Sequence, residues 1–463
     1  MKSINIFTET HQYNNDIMTP MGAFLRLNQQ NAFLLESVIQ GKNIGQYSLI
    51  GYDPLIEVQG YETYLVIMMD GQQVMMEGNP LDKLKGFYQS IQHHSSTESP
   101  LTTGFFGYFT WEIISSIEPI ELKSEKELLF EFQLPKKLLI FDHVKQLLFI
   151  SNSSFSKMDG KPITDQVFND IHSLIPGMKS SIITQPTELD WSKVSMNVTK
   201  DEFEESVKKV KHHIKEGDIF QGVISQKFKV KKEKDSIEVY RALQHINPSP
   251  YMFYFNYGDY KIIGSSPEIL VQSKNNQAIV RPIAGTRKRT FKNEQEIIDD
   301  LKSDEKEIAE HIMLVDLGRN DLGRVCKYDS IQISDLMMIE KYSHVIHMVS
   351  NVNGRLKDGM TPIDVFKATF PAGTVSGAPK IRAIQIIDEL EPDNRSIYSG
   401  AVGYFNLDGE IDLCITIRTI VSDKYSYTVQ AGAGIVNDSV PENEYFETRN
   451  KAHGILMACL AGD

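Results

Sequence analysis

The amino-acid sequence predicts an α+β protein with largely antiparallel sheets, and three observations carry that expectation. Asp408-Gly409 lies between two runs of strand-forming residues, a strong hairpin signal. The short apolar run of residues 64–69 (YLVIMM) closes on Asp70-Gly71, a turn signal. Thr199 with Glu202, and Asp304 with Glu307, are capping-box patterns that each open a stretch of apolar residues at helical spacing. Hairpins mixed with helices point to antiparallel sheets flanked by helices.

The 463 residues exceed one ordinary core, so two large domains, or one core with an elaborate second part, are expected. Residues 1–175 read as the first, mostly β up to about residue 150. Gly160, Pro162, Pro176, Gly177, Ser180, Ser181 and Pro186 mark a more polar stretch, and the linker is placed at 175–197. The second domain is expected over 197–460. It opens with a helix from Thr199 whose apolar stripe is Phe203, Val207, Val210 and Ile214, and Gly217 ends it. Residues 219–230 read as a strand with Phe220, Ile224, Phe228 and Val230 on one face, and 251–257 as another strand. The helix from Asp304 carries Ile308, Ile312 and Val315 as its stripe. Thr361-Pro362 starts a further helix, with Pro at the first helical position, that stops before Pro371. Residues 373–377 (GTVSG) read as a loop leading into a helix over about 379–390. Past Asp408-Gly409, Ile411, Leu413, Ile415 and Ile417 face one way along a strand, and Asp412, Cys414, Thr416 and Arg418 the other. A last helix runs from 439–441 to about 460.

Hydrophobic content of 41% and charged content of 24% suit a soluble globular protein. The net charge of −13, with no offsetting Lys/Arg run, argues against a nucleic-acid partner. An acidic metabolite would then need a local cation, either a metal or an inward-facing Arg. Cys326, Cys414 and Cys459 are far apart and lack metal-site spacing, so each is expected as a small buried residue in a reducing compartment. The first five residues lack a signal-peptide core, and no run approaches the ~18 apolar residues of a membrane span. A cytoplasmic protein without a membrane partner is the expectation.

Two Glu-x-x-Glu pairs stand out. Glu307 and Glu310 share one side of a helix, and Glu444 and Glu447 repeat the pattern on the last helix. Four carboxylates without a Cys/His cluster describe a hard oxygen site for Mg²⁺, Mn²⁺ or Ca²⁺. The same pattern also suits the helix macrodipole alone. Arg418, on the polar face of its expected strand, would meet a substrate carboxylate or an internal salt bridge. The Gly-rich stretches at 284–286, 373–377 and 431–434 permit close ligand approach, or serve as turns, and none fits a P-loop or a dinucleotide fingerprint. His344 and His347 follow a β-like stretch; His347 is the candidate acid/base group, against a structural histidine.

These residues occur within an ordered set: 264–268 (GSSPE), 281–286 (RPIAGT), 304–321 (DEKEIAEHIMLVDLGRND), 342–347 (YSHVIH), 370–380 (FPAGTVSGAPK), 415–418 (ITIR), 430–434 (QAGAG) and 442–451 (ENEYFETRNK). The set resembles the chorismate-utilising enzymes, and among them most closely the large subunits (component I) of anthranilate synthases, over nearly all of residues 200–460. Residues 34–37 (LLES) and 45–48 (GQYS) resemble the N-terminal domain of those subunits. The resemblance implies a sandwich of two large, mostly antiparallel sheets flanked by helices. It implies Glu310 and Glu447 as direct Mg²⁺ ligands, with Glu307 and Glu444 as their partners acting through water. The metal would hold the ring carboxylate of chorismate. Gly285, Thr286, Tyr398, Arg418, Gly432, Ala433 and Gly434 match substrate-contacting positions, with Arg418 on the enolpyruvyl carboxylate. Glu268 matches the acid for the leaving ring hydroxyl, His347 the group tied to the later pyruvate elimination, and Thr374 lines the same pocket.

Relatives that use water carry a Lys where this chain has Gln221, and aminodeoxychorismate synthases of the folate pathway commonly carry a Lys where it has Ala284. Both positions are neutral here. External ammonia and anthranilate, the first step of tryptophan biosynthesis, are therefore expected, with aminodeoxychorismate synthase component I as the alternative. Residues 34–37 and 247–253 (NPSPYMF) resemble a tryptophan feedback site, which implies Ser37, Pro250, Tyr251 and Met252 as its contacts. Gly222 and Thr290 depart from the family pattern. No glutamine-hydrolysing Cys/His arrangement is present. The resemblance therefore implies a separate glutamine amidotransferase subunit (component II), in a heterotetramer of two large and two small subunits.

Overall fold

The computed structural model describes residues 3–37, 45–95, 99–123, 128–157, 159–172, 188–289, 293–341 and 345–460, with the side chains of Thr286 and Lys288 outside that description. Tyr342, Ser343, His344 and Thr290 fall outside it too, as do residues 175–187 of the expected linker.

Local chemistry sets the helix starts. In helix Lys200–Lys215 the Thr199 hydroxyl accepts from the Glu202 amide, and Glu202 accepts in return from the Thr199 amide at 2.8 Å. Phe203, Val207 and Val210 are buried. Helix Pro362–Thr369 carries the same reciprocal box between Thr361 and Asp364. Asp304 caps helix Glu305–Val325 through the amides of Lys306 and Glu307. Here the box is not reciprocal, because the Glu307 carboxylate turns to Arg287 at 2.7 Å.

The strands form two large sheets. All pairings among the described residues are antiparallel except Ile4–Asn14 with Ile91–Ser95. One sheet runs from Ile91–Ser95 through Ile4–Asn14 and Leu147–Ser154 to Ala32–Glu36, Tyr251–Asn256, Lys261–Ser266, Thr419–Ser422, Ser426–Ile435 and Gln221–Lys231. The other runs from Gln72–Glu77 and Tyr64–Met69 to Gly104–Phe109, Ala401–Asn406, Ile411–Ile415, Ile269–Lys274, Gln277–Val280 and Val345–Arg355. The long strands Tyr47–Tyr61 and Phe130–Asp142 pair throughout and belong to both sheets. Their register shifts between Pro54 and Ile56, where they pass from one sheet to the other.

Phe33, Phe253, Phe255 and Ile262 of the first sheet pack against Phe106, Tyr108, Val402 and Cys414 of the second, forming the layer between them. Helices cover both outer faces, with Tyr240, Leu243, Ile455 and Leu456 against the first sheet and Val315, Leu322 and Phe366 against the second. The architecture is the expected helix-flanked sandwich. Strands from both sides of the expected linker share these sheets: Ala32–Glu36 pairs with Tyr251–Asn256, and Gly104–Phe109 with Ala401–Asn406. Val194–Met196, inside the stretch assigned to the linker, pairs with Gln221–Lys231.

Several local expectations are corrected. Phe220 precedes its strand and is 72% exposed, because its amide bonds the Ala378 carbonyl at the edge. Ile312 is 46% exposed; the inward stripe of its helix runs through His311, Val315, Gly318 and Leu322 instead. Residues 373–377 are not a loop: Gly373–Ser376 is one helical turn, and Gly377 pairs with Gly222. The strand after the Asp408-Gly409 hairpin ends at Ile415, so Arg418 does not project from it. Arg418 sits in the connection to the next strand with φ of 54°. All three cysteines are buried and free. Among the described residues, no helix is long and apolar enough to cross a membrane.

Candidate active site

The N-termini of helices Glu305–Val325 and Pro441–Leu460 approach each other, bringing the two Glu-x-x-Glu pairs together. Lys451 of the last helix acts on Glu310, and Lys306 of the other acts on Glu444. Burial raises the pKa of Glu310; Gln221 and the nearby lysines oppose this, and Glu307 adds to it. Glu444 is raised likewise by burial, with Glu447 adding to it. The Gln221 carboxamide donates to Glu310 at 3.1 Å. Two cations already engage the other members: Arg287 pairs with Glu307, and Lys451 pairs with Glu447 at 2.6 Å.

Among the described residues, no three His, Cys, Asp or Glu side chains are arranged to hold an ion. The donor chemistry nevertheless fits a hard dication. The four side chains are carboxylates, and a divalent charge would offset the burial and mutual repulsion that raise Glu310 and Glu444. To take part, Glu307 and Glu447 must exchange Arg287 and Lys451 for the metal.

A glycine-lined hollow lies beside these helices. Gly432 and Gly434 alternate on strand Ser426–Ile435, opposite Ser225 and Val223. A Cβ at Gly432 would sit 2.7 Å from the Tyr398 hydroxyl, and one at Gly434 would sit 2.9 Å from Gln221 Nε2. Lys451 also donates to the Gly432 carbonyl at 3.0 Å. Ala433 turns the other way: its methyl is fully buried in the apolar core, so only its backbone can face the hollow. Gly285 has φ of 83°, and a Cβ there would lie 3.4 Å from Glu307. The backbone of Thr286 pairs with His347.

Glu268, Thr374, Tyr398, Arg418 and His347 meet around this hollow. Burial pushes the Glu268 carboxyl up to about 7. The Thr374 hydroxyl and the charges of Arg418 and Lys451 oppose that shift. The Thr374 oxygen is itself buried without a hydrogen-bond partner of good geometry. Burial also lowers the pKa of Arg418, against the pull of Tyr398, Glu268 and Glu447. No carboxylate among the described residues lies within salt-bridge distance of its guanidinium. His347 is lowered by burial, with Glu340 raising it and Arg418 adding to the decrease. The site thus offers a carboxyl that holds its proton up to about neutrality, an imidazole and a cation able to receive an anion.

A second concavity lies between the sheets, with a volume of about 930 Å³. Ser37, Pro250, Tyr251 and Met252 all line it, together with Glu36 and Asp412. Asp412 accepts from Tyr251 at 2.8 Å and from Gln272 at 3.0 Å, and burial pushes it up to about 6.

The sequence did not point to the polar frame behind the site. Arg395 donates to Glu391, to the Val223 carbonyl and to the Val375 carbonyl, each at 2.7 Å, and stacks on Trp111 and Tyr398. Lys380 pairs with Asp321 at 3.0 Å. The only sequence signal for Arg395 is a charged residue four positions after Glu391.

Residues 31–457 match the family of chorismate binding enzymes. The chain is similar to anthranilate synthase component 1 of Acetivibrio thermocellus, at 42% identity covering 99% of this chain and 96% of the relative. It is 41% identical to anthranilate synthase component 1 of Synechocystis sp., covering 98% of each. Among solved structures it resembles anthranilate synthase component I from Streptococcus pneumoniae TIGR4, at 35% identity, TM-score 0.79, 96% of this chain and 98% of the other. The menaquinone-specific isochorismate synthase of Escherichia coli shares the fold at TM-score 0.73 and 18% identity, over 99% of this chain and 95% of the other.

Proposed function

This chain belongs to the chorismate binding enzymes, alongside the component 1 subunits of anthranilate synthase, and on that premise we propose that it turns chorismate and ammonia into anthranilate, pyruvate and water. The observation that carries the proposal is the placing, in one hollow, of a carboxyl held up to about 7 with a guanidinium that has no salt-bridged carboxylate among the described residues. Arg418 binds the enolpyruvyl carboxylate, and Tyr398, Gly285, Thr286, Gly432 and the backbone through Gly434 shape the space around the ring. Ammonia adds to the ring carbon beside the carboxylate-bearing carbon. Glu268 gives its proton to the ring hydroxyl, which leaves as water; such an acid contributes roughly 10²–10⁴ in rate. Thr374 orients that acid. His347 then removes the proton from the aminated carbon; the ring C–O bond breaks, enolpyruvate departs and is protonated to pyruvate, and the ring becomes aromatic.

Glu310 and Glu447, with Glu307 and Glu444 behind them, would hold Mg²⁺. When bound, the ion supplies charge neutralisation and orientation for the ring carboxylate. Two neutral positions favour ammonia over other nucleophiles. Gln221 spends its carboxamide on Glu310 and carries no ammonium to activate water, and Ala284 is a buried methyl without an amine. Ammonia would be delivered from glutamine by a separate amidotransferase subunit. The inter-sheet cavity would take L-tryptophan as a feedback inhibitor.

The test is incubation of the purified chain with chorismate, Mg²⁺ and excess ammonium at mildly alkaline pH. Anthranilate fluorescence with stoichiometric pyruvate is expected. A non-aromatic amine accumulating without pyruvate would replace this reading with aminodeoxychorismate synthesis. Glutamine alone should support no turnover until the amidotransferase subunit is added.

A further inference from the structure

Two voids share a wall. The cavity of about 930 Å³ between the sheets and a smaller void of about 50 Å³ are both lined by Ile269 and Arg281. The smaller void is also lined by Glu268, Thr374 and Asp321. Ile269 directly follows Glu268 in the chain. Any displacement of that wall by an occupant of the large cavity therefore reaches the carboxyl that acts as the acid.

Arg281 is tied on one side only. Its Nη2 donates to the Glu340 carboxylate, which also lines the large cavity, while its Nε is buried without a partner. Glu340 stands directly opposite His347 in the antiparallel pair Gln332–Lys341 with Val345–Arg355. Directly opposed residues carry their side chains on the same face of a sheet, about 5 Å apart. The Glu340 charge raises the pKa of His347 against its burial. One ion pair thus borders the cavity and reaches both groups that handle protons.

We propose that the Arg281–Glu340 pair couples occupancy of the inter-sheet cavity to Glu268 and His347. This rests on the reading that the cavity takes L-tryptophan. An amino acid carries one carboxylate and one ammonium, the same charges as the pair. It can therefore exchange partners, its carboxylate turning to Arg281 and its ammonium to Glu340, without leaving a buried charge unmatched. The exchange replaces the guanidinium beside Glu340, where it faces His347, by a smaller ammonium and draws Arg281 away from the wall it shares with Glu268. Arg281 and Glu340 are positioning residues in this scheme. Neither is assigned contact with chorismate.

Coupling of this kind is reciprocal, so it is measurable without turnover. The dissociation constant of L-tryptophan is measured by calorimetry with and without saturating chorismate and Mg²⁺, ammonia being absent. For the wild type, chorismate should weaken tryptophan by about tenfold or more, within the usual range for coupled sites. For Arg281→Met and, independently, Glu340→Gln, that factor should fall to within about twofold of unity, whatever the absolute affinity. Arg281→Lys should keep part of it. Either variant retaining the full wild-type factor would overturn this inference alone. A wild type that binds no tryptophan, or whose binding survives Ser37→Phe unchanged, would overturn the cavity reading and this inference with it.

Discussion

At the scale of single residues, Glu268 carries the sharpest expectation. Its carboxyl is held at about 7, well above its ordinary value, chiefly by burial. In the free enzyme it is therefore protonated below neutrality and increasingly ionised above. Once the rate is normalised to free ammonia, kcat/KM for chorismate should fall as pH rises through about 7, because kcat/KM reports ionisations of the free enzyme. Glu268→Gln should remove that limb and cost roughly 10²–10⁴ in kcat. Linkage gives a second readout with its own sign. The folded pKa lies above the unfolded one, so the group favours the folded state at low pH and that advantage is lost as pH rises through the folded pKa. The difference is no more than about 3 kcal/mol. Glu268→Gln should therefore raise the melting temperature at alkaline pH and leave it nearly unchanged at acid pH. Gly432 makes a steric prediction beside it. A methyl there would meet the Tyr398 hydroxyl at 2.7 Å and the Ile224 carbonyl at 3.0 Å. Gly432→Ala should fold, displace Tyr398 and raise the KM for chorismate. An unchanged KM in steady-state kinetics would mean that Tyr398 does not touch the substrate.

At the scale of elements, the polar frame behind the site decides how rigidly it is held. Arg395 is 3% exposed and Glu391 7%. Glu391 also accepts from the Ser225 amide at 2.7 Å and from its hydroxyl at 2.8 Å. One ion pair thus joins the turn Gly373–Ser376, the strand Gln221–Lys231 and the ring of Tyr398. Arg395→Met would leave Glu391 buried and unpaired, at a cost of about 3–5 kcal/mol measurable by urea unfolding. Beyond the four-residue spacing of Glu391 and Arg395, none of this was legible in the sequence, because the other partners lie at residues 111, 223, 225, 375 and 398. Helix starts were legible, because a cap such as Thr199 or Thr361 bonds residues three positions away. Apolar periodicity served less well at the margins. Phe220 and Ile312 match the spacing of their elements but face outward, since spacing counts residues and does not see neighbours. Arg418 escaped the alternation of its strand through a left-handed φ of 54°, a conformation that a non-glycine residue rarely takes. The residues of the candidate site were legible as ordered motifs. Their convergence was not, because it depends on two helices about 135 residues apart in sequence meeting at their N-termini.

At the scale of the whole molecule, the two sheets are not independent. Tyr47–Tyr61 and Phe130–Asp142 run through both, and the first and second parts of the chain pair within each. The large cavity draws its wall from both sheets: Leu35, Leu49 and Met252 come from one, and Gln272, Tyr404 and Asp412 from the other. A ligand that fills it ties the sheets together, so its binding energy should appear as global stability. Ligand at about 100 times its dissociation constant adds about 2.7 kcal/mol to the folded state. L-tryptophan should therefore raise the thermal midpoint by a few degrees, with the D-enantiomer as control. Ser37 lies on the cavity wall beside Glu36, whose carboxyl is held by Tyr240 at 2.7 Å and by Gln244. Ser37→Phe puts a ring into the space the indole would take, so the midpoint of that variant should not respond to L-tryptophan, while ammonia-dependent turnover persists. A midpoint that rises in Ser37→Phe as much as in the wild type would put the tryptophan site elsewhere on the molecule and detach the inter-sheet cavity from feedback.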